Sequence, residues 1–276
     1  MSSRTALALA AAAAIALSSM PLHAAKDAPE DLVLVRAGTL PIILTAPHGG
    51  TAAIPGVSPR DVQGKKAGGA GYVADRDPET DRLAIGIAAE IKAITGKEPY
   101  LVVARFHRKF VDPNRPPEIA YDQPAAKPYY DHYHESVLRF VEEVRGRYPA
   151  GVLIDVHGQH KIADSLVRGT LNGRSVTRLI GRAGFDAITG PKGLFGELEA
   201  NGFKVFPSNG LPPHRNYEDG GFNGGYTTAT YGSHRADGID AVQFEFGSQY
   251  RKKAELDATI RKAARAIVAF HDAYLK

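Results

Sequence analysis

Two histidines and one glutamate each close a short, mostly apolar run in this 276-residue chain. Residues 42–47 lead into His48, residues 152–154 into Asp155-Val156-His157, and residues 241–243 into Phe244-Glu245. A buried strand that ends on a polar residue delivers that side chain to the carboxyl edge of a sheet, where α/β proteins bind ligands. Two imidazoles and a carboxylate collected there suit a zinc ion with its general base. The chain has no cysteine, so any metal must be held by His, Asp or Glu.

Each of these residues also has a structural explanation. Gly49 and Gly50 after His48 let the backbone turn sharply and approach a ligand, yet a lone His in such a turn is often structural. His157, again followed by a glycine, repeats the arrangement and shifts the balance toward metal. A third ligand would be Asp or Glu, and Asp75, Asp77, Glu79 and Asp81 offer four carboxylates at a helix start. Acids are favoured there by the helix dipole as well, so both readings stand. Asp155 lies two residues before His157, on the same side of the strand, where a carboxylate can orient a ligand histidine. Glu245 sits between Phe244 and Phe246; a carboxylate in such surroundings needs a partner, either as a general base or in a buried ion pair.

The stretch Arg105–Arg115 carries a cluster of basic residues. It suits recognition of an acidic substrate, because guanidinium pairs with carboxylate through two bonds, or it is a solvated loop. His134-Glu135 begins like a helical zinc motif, but Leu138 stands where the second histidine is required. No GxSxG, P-loop or dinucleotide fingerprint occurs, which leaves a serine hydrolase or nucleotide enzyme without support.

The elements that must position these residues alternate along the chain. Strands are predicted at 31–36, 40–46, 100–104, 152–156, 165–169, 203–206 and 241–246. Leu83, Ile87, Ala88 and Ile91 recur at helical spacing over 80–94, with Asp77 as N-cap, Pro78 at the first helical position and Gly96 as the stop. Tyr133, Val137, Phe140 and Val144 mark a helix over 129–148, and Ile260, Ala264 and Ile267 one over 254–274. Short helices are predicted at 176–183 and 194–200. Strands alternating with helices, and no dividing linker, predict a single α/β domain with a mixed, mostly parallel sheet flanked by helices. Three irregular stretches, 49–74, 105–128 and 207–231, adjoin the motif strands, and loops this long in a compact domain usually serve function.

At 43 % hydrophobic the chain can bury a full core. Its net charge of +4 is small for this length and its basic residues are scattered, so nucleic-acid binding is not suggested. Arg4, the apolar stretch 6–17 and the small residues Ala24-Ala25 have the layout of a secretory signal peptide over 1–25. The apolar part falls short of the roughly 20 residues that span a bilayer; an uncleaved anchor is the alternative.

Taken in order, Pro47-His48-Gly49-Gly50, the run from Asp77 to Leu83, the run from Arg108 to Arg115, Tyr130-Asp131-His132-Tyr133-His134, Ile154-Asp155-Val156-His157-Gly158 and Gln243-Phe244-Glu245 resemble the N-formylglutamate amidohydrolase family of the zinc carboxypeptidase-like group. The resemblance spans about residues 42–247. It implies a phosphorylase/hydrolase-like α/β fold over 26–276. It implies Zn2+ held by His48, Asp77 and His157, with Glu79 as the alternate acid. It implies Glu245 as base, Arg108 near the reacting carbonyl, and Asn114, Arg115 and His134 at the substrate. Gly49 stands where the family often has serine, and export is not expected of an enzyme of cytosolic histidine breakdown.

The function expected from residues and resemblance together is a periplasmic or secreted zinc-dependent hydrolase. It would cleave an amide bond in a carboxylate-bearing N-acyl amino acid or small peptide, with no nucleic-acid partner and no membrane once the leader is removed. Cell-wall or poly-γ-glutamate amide cleavage is an alternative, and a non-catalytic periplasmic binding protein is another.

Overall fold

Side chains alternate across a strand, so each face of a sheet is written into every second residue. In this computed structural model, which describes residues 28–61, 66–67, 70–211, 213, 217–218 and 221–276, seven strands make one sheet. The leader expected over 1–25 lies outside the described residues. The strands are β1 (Val33–Arg36), β2 (Ile42–Ala46), β3 (Tyr100–Ala104), β4 (Val152–Gln159), β5 (Leu166–Gly169), β6 (Val205–Phe206) and β7 (Asp240–Gly247), in the spatial order β1-β3-β2-β4-β7-β5-β6. The central four, β3, β2, β4 and β7, run parallel. β1 pairs antiparallel with β3, and β5 antiparallel with β7. The sheet is therefore mixed and mostly parallel, as its sequence predicts.

The main helices are α1 (Thr80–Thr95), α2 (Lys127–Arg147), α3 (Thr177–Ala183), α4 (Leu194–Ala200), α5 (Tyr226–Tyr231) and α6 (Leu256–Tyr274). On one face of the sheet Ile42, Leu44, Leu101, Val103, Val152, Ile154, Val242 and Phe244 pack with α1, α4 and α6. On the other, Ile43, Tyr100, Val102, Leu153 and Ala241 pack with Tyr133, Val137, Phe140 and Val144 of α2. The second face changes character along its length. Ile43 is succeeded by Thr45, Leu153 by Asp155 and His157, and Ala241 by Gln243 and Glu245. Thr45 is in register with Asp155, Asp155 with Gln243, and His157 with Glu245. The same period that builds the core thus lays five buried polar side chains side by side at the carboxyl end of the sheet.

Two local expectations are corrected. α1 begins at Thr80, and its N-cap is Glu79 in the left-handed region at φ 71°, with no side-chain cap. Asp77 is not the cap; the backbone turn leaves its carboxylate free to point elsewhere. The stretch 207–231 is not irregular throughout. It holds α5, whose Tyr-Thr-Thr-Ala-Thr-Tyr sequence has weak helix propensity and relies on tertiary contacts. Among the described residues no helix is long and apolar enough to cross a membrane.

Candidate metal centre

His48 follows β2, His157 sits inside β4, and Asp77 lies on the turn before α1. A ligand atom from each of the three lies within 4.8 Å of the others. Nδ1 of His48 is 3.3 Å, and Nδ1 of His157 3.2 Å, from the same Asp77 oxygen, Oδ2. The backbone explains the closeness. Asp77 N–H donates to the His48 carbonyl at 3.0 Å, and Gly158 N–H donates to Asp77 Oδ2 at 3.2 Å. Gly49 is required where it stands, because a Cβ there would meet the backbone N of Asp81 at 2.3 Å.

Each imidazole is oriented from behind by its other nitrogen. Nε2 of His48 donates to Oδ1 of Asp112 at 2.7 Å, and Nε2 of His157 to Oδ2 of Asp155 at 2.7 Å. Thr45 Oγ1 donates to the second Asp155 oxygen at 2.6 Å. Fixing Nε2–H in this way aims each Nδ1 at the Asp77 carboxylate, the orientation in which ligand histidines are usually held. Burial favours a neutral Asp77, but the two histidines outweigh it and hold its carboxyl well below the usual range. Burial also opposes charge on His157, and Asp155 overrides it, so that its pKa stands well above normal. A cation between the three would take the place of the Nδ1 protons. Two neutral imidazoles and one carboxylate, each with its outer hydrogen bond made, is a donor set that fits zinc.

Glu245, 6 % exposed, is the register partner of His157 on the neighbouring strand. Gln243 Nε2 donates to its Oε1 at 2.8 Å. Burial pushes its carboxyl up to about 8; His157 and Arg108 pull it down, while Asp77 and Asp155 add to the rise. Arg108 is buried, with Nη2 and Nε on Asp112 Oδ2 at 2.6 and 3.2 Å and Nη1 3.7 Å from Asp77 Oδ1. Asp112 also attracts the charges of Arg60 and Arg115. Asp77 attracts Arg108 and Arg115 as well, so three guanidiniums face two carboxylates on this wall, a surplus of one positive charge.

No family model matches the chain, and no curated protein matches it. Solved structures do match. N-formylglutamate amidohydrolase from Ralstonia eutropha superposes with TM-score 0.55 at 15 % identity, over 87 % of this chain and 99 % of that one. This chain has that fold. A gene product from Agrobacterium tumefaciens superposes with TM-score 0.54 at 18 % identity, over 90 % of this chain and 93 % of that one. A bacteriophage poly-gamma-glutamate hydrolase aligns at TM-score 0.39 and 13 % identity, over 87 % of this chain and 89 % of that one.

The remaining sequence candidates fall into two groups. Asp77, not Glu79, joins the histidines; Glu79 pairs instead with Arg82 at 2.7 Å, partly in solvent. Asn114 is buried against His157, with Nδ2 3.4 Å from Nε2, and its Oδ1 accepts from Thr227 N–H at 3.0 Å. Arg115 is half-buried and donates to the carbonyls of Gly71 and Asn114, each at 2.8 Å. His134 lies one layer back: Nε2 donates to the Pro113 carbonyl at 3.0 Å and Nδ1 is 2.8 Å from the Tyr231 hydroxyl. It braces the Pro113–Arg115 turn. Asp112 and Arg60 join the site although no sequence motif marks either as a site residue. Asp112 stood in the Arg108–Arg115 motif, two residues before Asn114, but nothing local shows that its oxygen meets a histidine 64 positions away.

Proposed function

We propose that the protein is a zinc-dependent amidohydrolase acting on a carboxylate-bearing N-acyl amino acid or small peptide. The observation that carries this is the convergence of His48, Asp77 and His157 with Glu245 as the register partner of one of them. The shared fold with N-formylglutamate amidohydrolase agrees with it at the level of architecture. When bound by His48, Asp77 and His157, zinc would supply Lewis acidity, lowering the pKa of water and polarising a carbonyl.

The chain's own groups supply the rest. Glu245 takes a proton from the attacking water and passes it to the departing nitrogen; a cation held by the neighbouring ligands would offset the burial that raises its pKa and keep it ionised for that role. Gln243 holds Glu245 in place. Arg108 presents positive charge where an oxyanion would form, steadied by Asp112. The positive charge of Arg108 and Arg115 beside Asp112 supports an anionic substrate, and Arg115 on the Pro113–Arg115 turn is its proposed anchor. Export to the periplasm or medium is part of the proposal and rests on the leader-like sequence at 1–25.

Purified protein should carry about one zinc per chain and should hydrolyse N-acyl amino acids with a free carboxylate. Metal analysis followed by an amidase assay on N-formyl, N-acetyl and γ-glutamyl substrates tests both. Protein that takes up no zinc, or zinc-loaded protein that cleaves none of these, overturns the proposal.

A further inference from the structure

Arg251 lies on the turn after β7, is 9 % exposed, and donates from each of its three guanidinium nitrogens to a main-chain carbonyl. Nε donates to Phe246 at 3.0 Å, Nη2 to Gln159 at 3.0 Å, and Nη1 to Pro78 at 2.7 Å. Phe246 follows Glu245, Gln159 lies two residues beyond His157, and Pro78 follows Asp77. One planar fork therefore joins the chain ends next to two of the candidate metal ligands and the candidate base. None of the three contacts is to a carboxylate, so the buried charge is not explained by an ion pair. The charges that stabilise it are those of Asp77, Glu245 and Glu79, acting against the cost of burial.

The position was made for this side chain. Gly158 points to the face of the sheet opposite His157, and a Cβ on it would meet Cζ and Nε of Arg251 at 2.6 Å. The same Gly158 donates its N–H to Asp77 Oδ2. Pro78 is the hinge of this arrangement. Asp77 comes from a turn before α1 and no ladder bond ties that turn to β4, whereas His157 is fixed within the sheet. The turn is tied to the His48 side by Asp77 N–H on the His48 carbonyl and by Arg76 on the Gly49 carbonyl; on the β4 side, among the described residues, the Arg251–Pro78 bond is the tie that does not use the carboxylate that should serve the metal.

We infer that Arg251 is a positioning residue that sets the metal affinity of the His48–Asp77–His157 centre by pinning the Asp77 turn to the ends of β4 and β7. The inference rests on the zinc reading above. Lysine keeps the charge but has no planar fork to reach three carbonyls, so charge and geometry can be separated.

The test compares wild type, Arg251→Lys, Arg251→Ala and Gly158→Ala. Zinc affinity is measured by competition with a chelating dye, the visible spectrum with Co2+ in place of zinc, and the melting temperature without metal. Arg251→Lys and Arg251→Ala should bind zinc 10–100-fold more weakly, the usual worth of an outer partner of a metal site. Their Co2+ bands should shift, and guanidinium ion added to Arg251→Ala should restore affinity. Gly158→Ala keeps the arginine but displaces its fork, so it should weaken zinc as well; it decides the matter should the arginine variants not fold. Affinity within twofold of wild type with an unchanged Co2+ spectrum, in any folded variant, overturns the inference alone. Wild-type protein that binds no zinc overturns the reading beneath it and the inference with it.

Discussion

Oδ1 of Asp112 stands 2.7 Å from Nε2 of His48, and the same carboxylate takes two bonds from Arg108. It is fully buried, and Arg108 with His48 holds its pKa well below the usual range against the cost of burial. Asp112→Asn should do two things. Zinc affinity should fall 10–100-fold, because the imidazole loses its orienting charge. Stability should fall by about 3–5 kcal/mol, because Arg60 and Arg108 are left buried without their carboxylate. Dye competition and a thermal melt on one preparation read both. An Asn variant with wild-type zinc affinity would show that Asp112 serves only the arginines.

The centre itself is tested by its ligands. His48→Ala and His157→Ala each remove one of the three donor groups whose ligand atoms lie within 4.8 Å of one another. Either variant should lose most of its zinc, whereas Glu79→Ala should keep it, since Glu79 faces Arg82 instead. Metal analysis after dialysis is the measurement. Full zinc retention in both histidine variants removes the site.

What the sequence reveals and what it hides divide along physical lines. His48, His157 and Glu245 are legible because a two-residue period carries each to the edge of a buried strand, and strands are local. The helix over 80–94 is legible from its apolar spacing and Gly96. Asp77 is visible as an acid at a helix start, but there capping and ligation predict the same residue type. Only the φ of 71° at Glu79, which shifts the cap by two residues, separates them. Asp112 and Arg251 are illegible for another reason. Their partners, His48 and Pro78, lie 64 and 173 positions away, and no local pattern encodes a contact to a distant imidazole or carbonyl. α5 is illegible because glycine-rich flanks and β-branched threonines describe a loop, and its support comes from Asn114 in another loop.

Arg115 is placed to anchor an anion, although Nε and Nη1 already hold Gly71 and Asn114. Arg115→Ala should weaken binding of carboxylate-bearing substrates by roughly 2–5 kcal/mol if the pair is desolvated. Loss of the turn would weaken all substrates alike, so the ratio between the acid and the amide form of one substrate is the measurement. A ratio unchanged from wild type assigns Arg115 to the loop alone.

His134 gives a pH dependence with a definite sign. Burial lowers its pKa to about 4, with the Pro113 carbonyl opposing the shift. The unfolded chain, near 6.5, binds the proton more readily. Its contribution is therefore complete above pH 6.5 and is lost as pH falls through 4, by about 3 kcal/mol at most. His134→Gln keeps a donor toward Pro113 but cannot titrate. Its melting temperature should fall less steeply than that of wild type between pH 6.5 and 4. Parallel slopes would mean that the drop in this window belongs to the carboxylates.

Glu245 separates an enzyme from a binding protein that keeps the metal. Its raised pKa of about 8 means that ionisation costs the metal-free native state. Its contribution is full below about 4.5 and is lost as pH rises through 8. Glu245→Gln removes that charge and keeps the shape, so the metal-free variant should stay folded and lose less stability than wild type toward alkaline pH. Zinc should still bind, since Glu245 is not among the three ligands. Turnover should fall by about 10²–10⁴, the usual worth of a positioned acid–base group. A structural carboxylate gives the opposite pattern, with altered stability and unaltered turnover. Hydrolysis rate, zinc content and melting temperature are to be taken on the same protein. A stable, zinc-loaded Glu245→Gln variant with near-normal activity removes Glu245 from the chemistry. If neither wild type nor variant turns over any amide, the zinc and the arginine wall are those of a binding site, and Glu245 is there to balance Arg108 and His157.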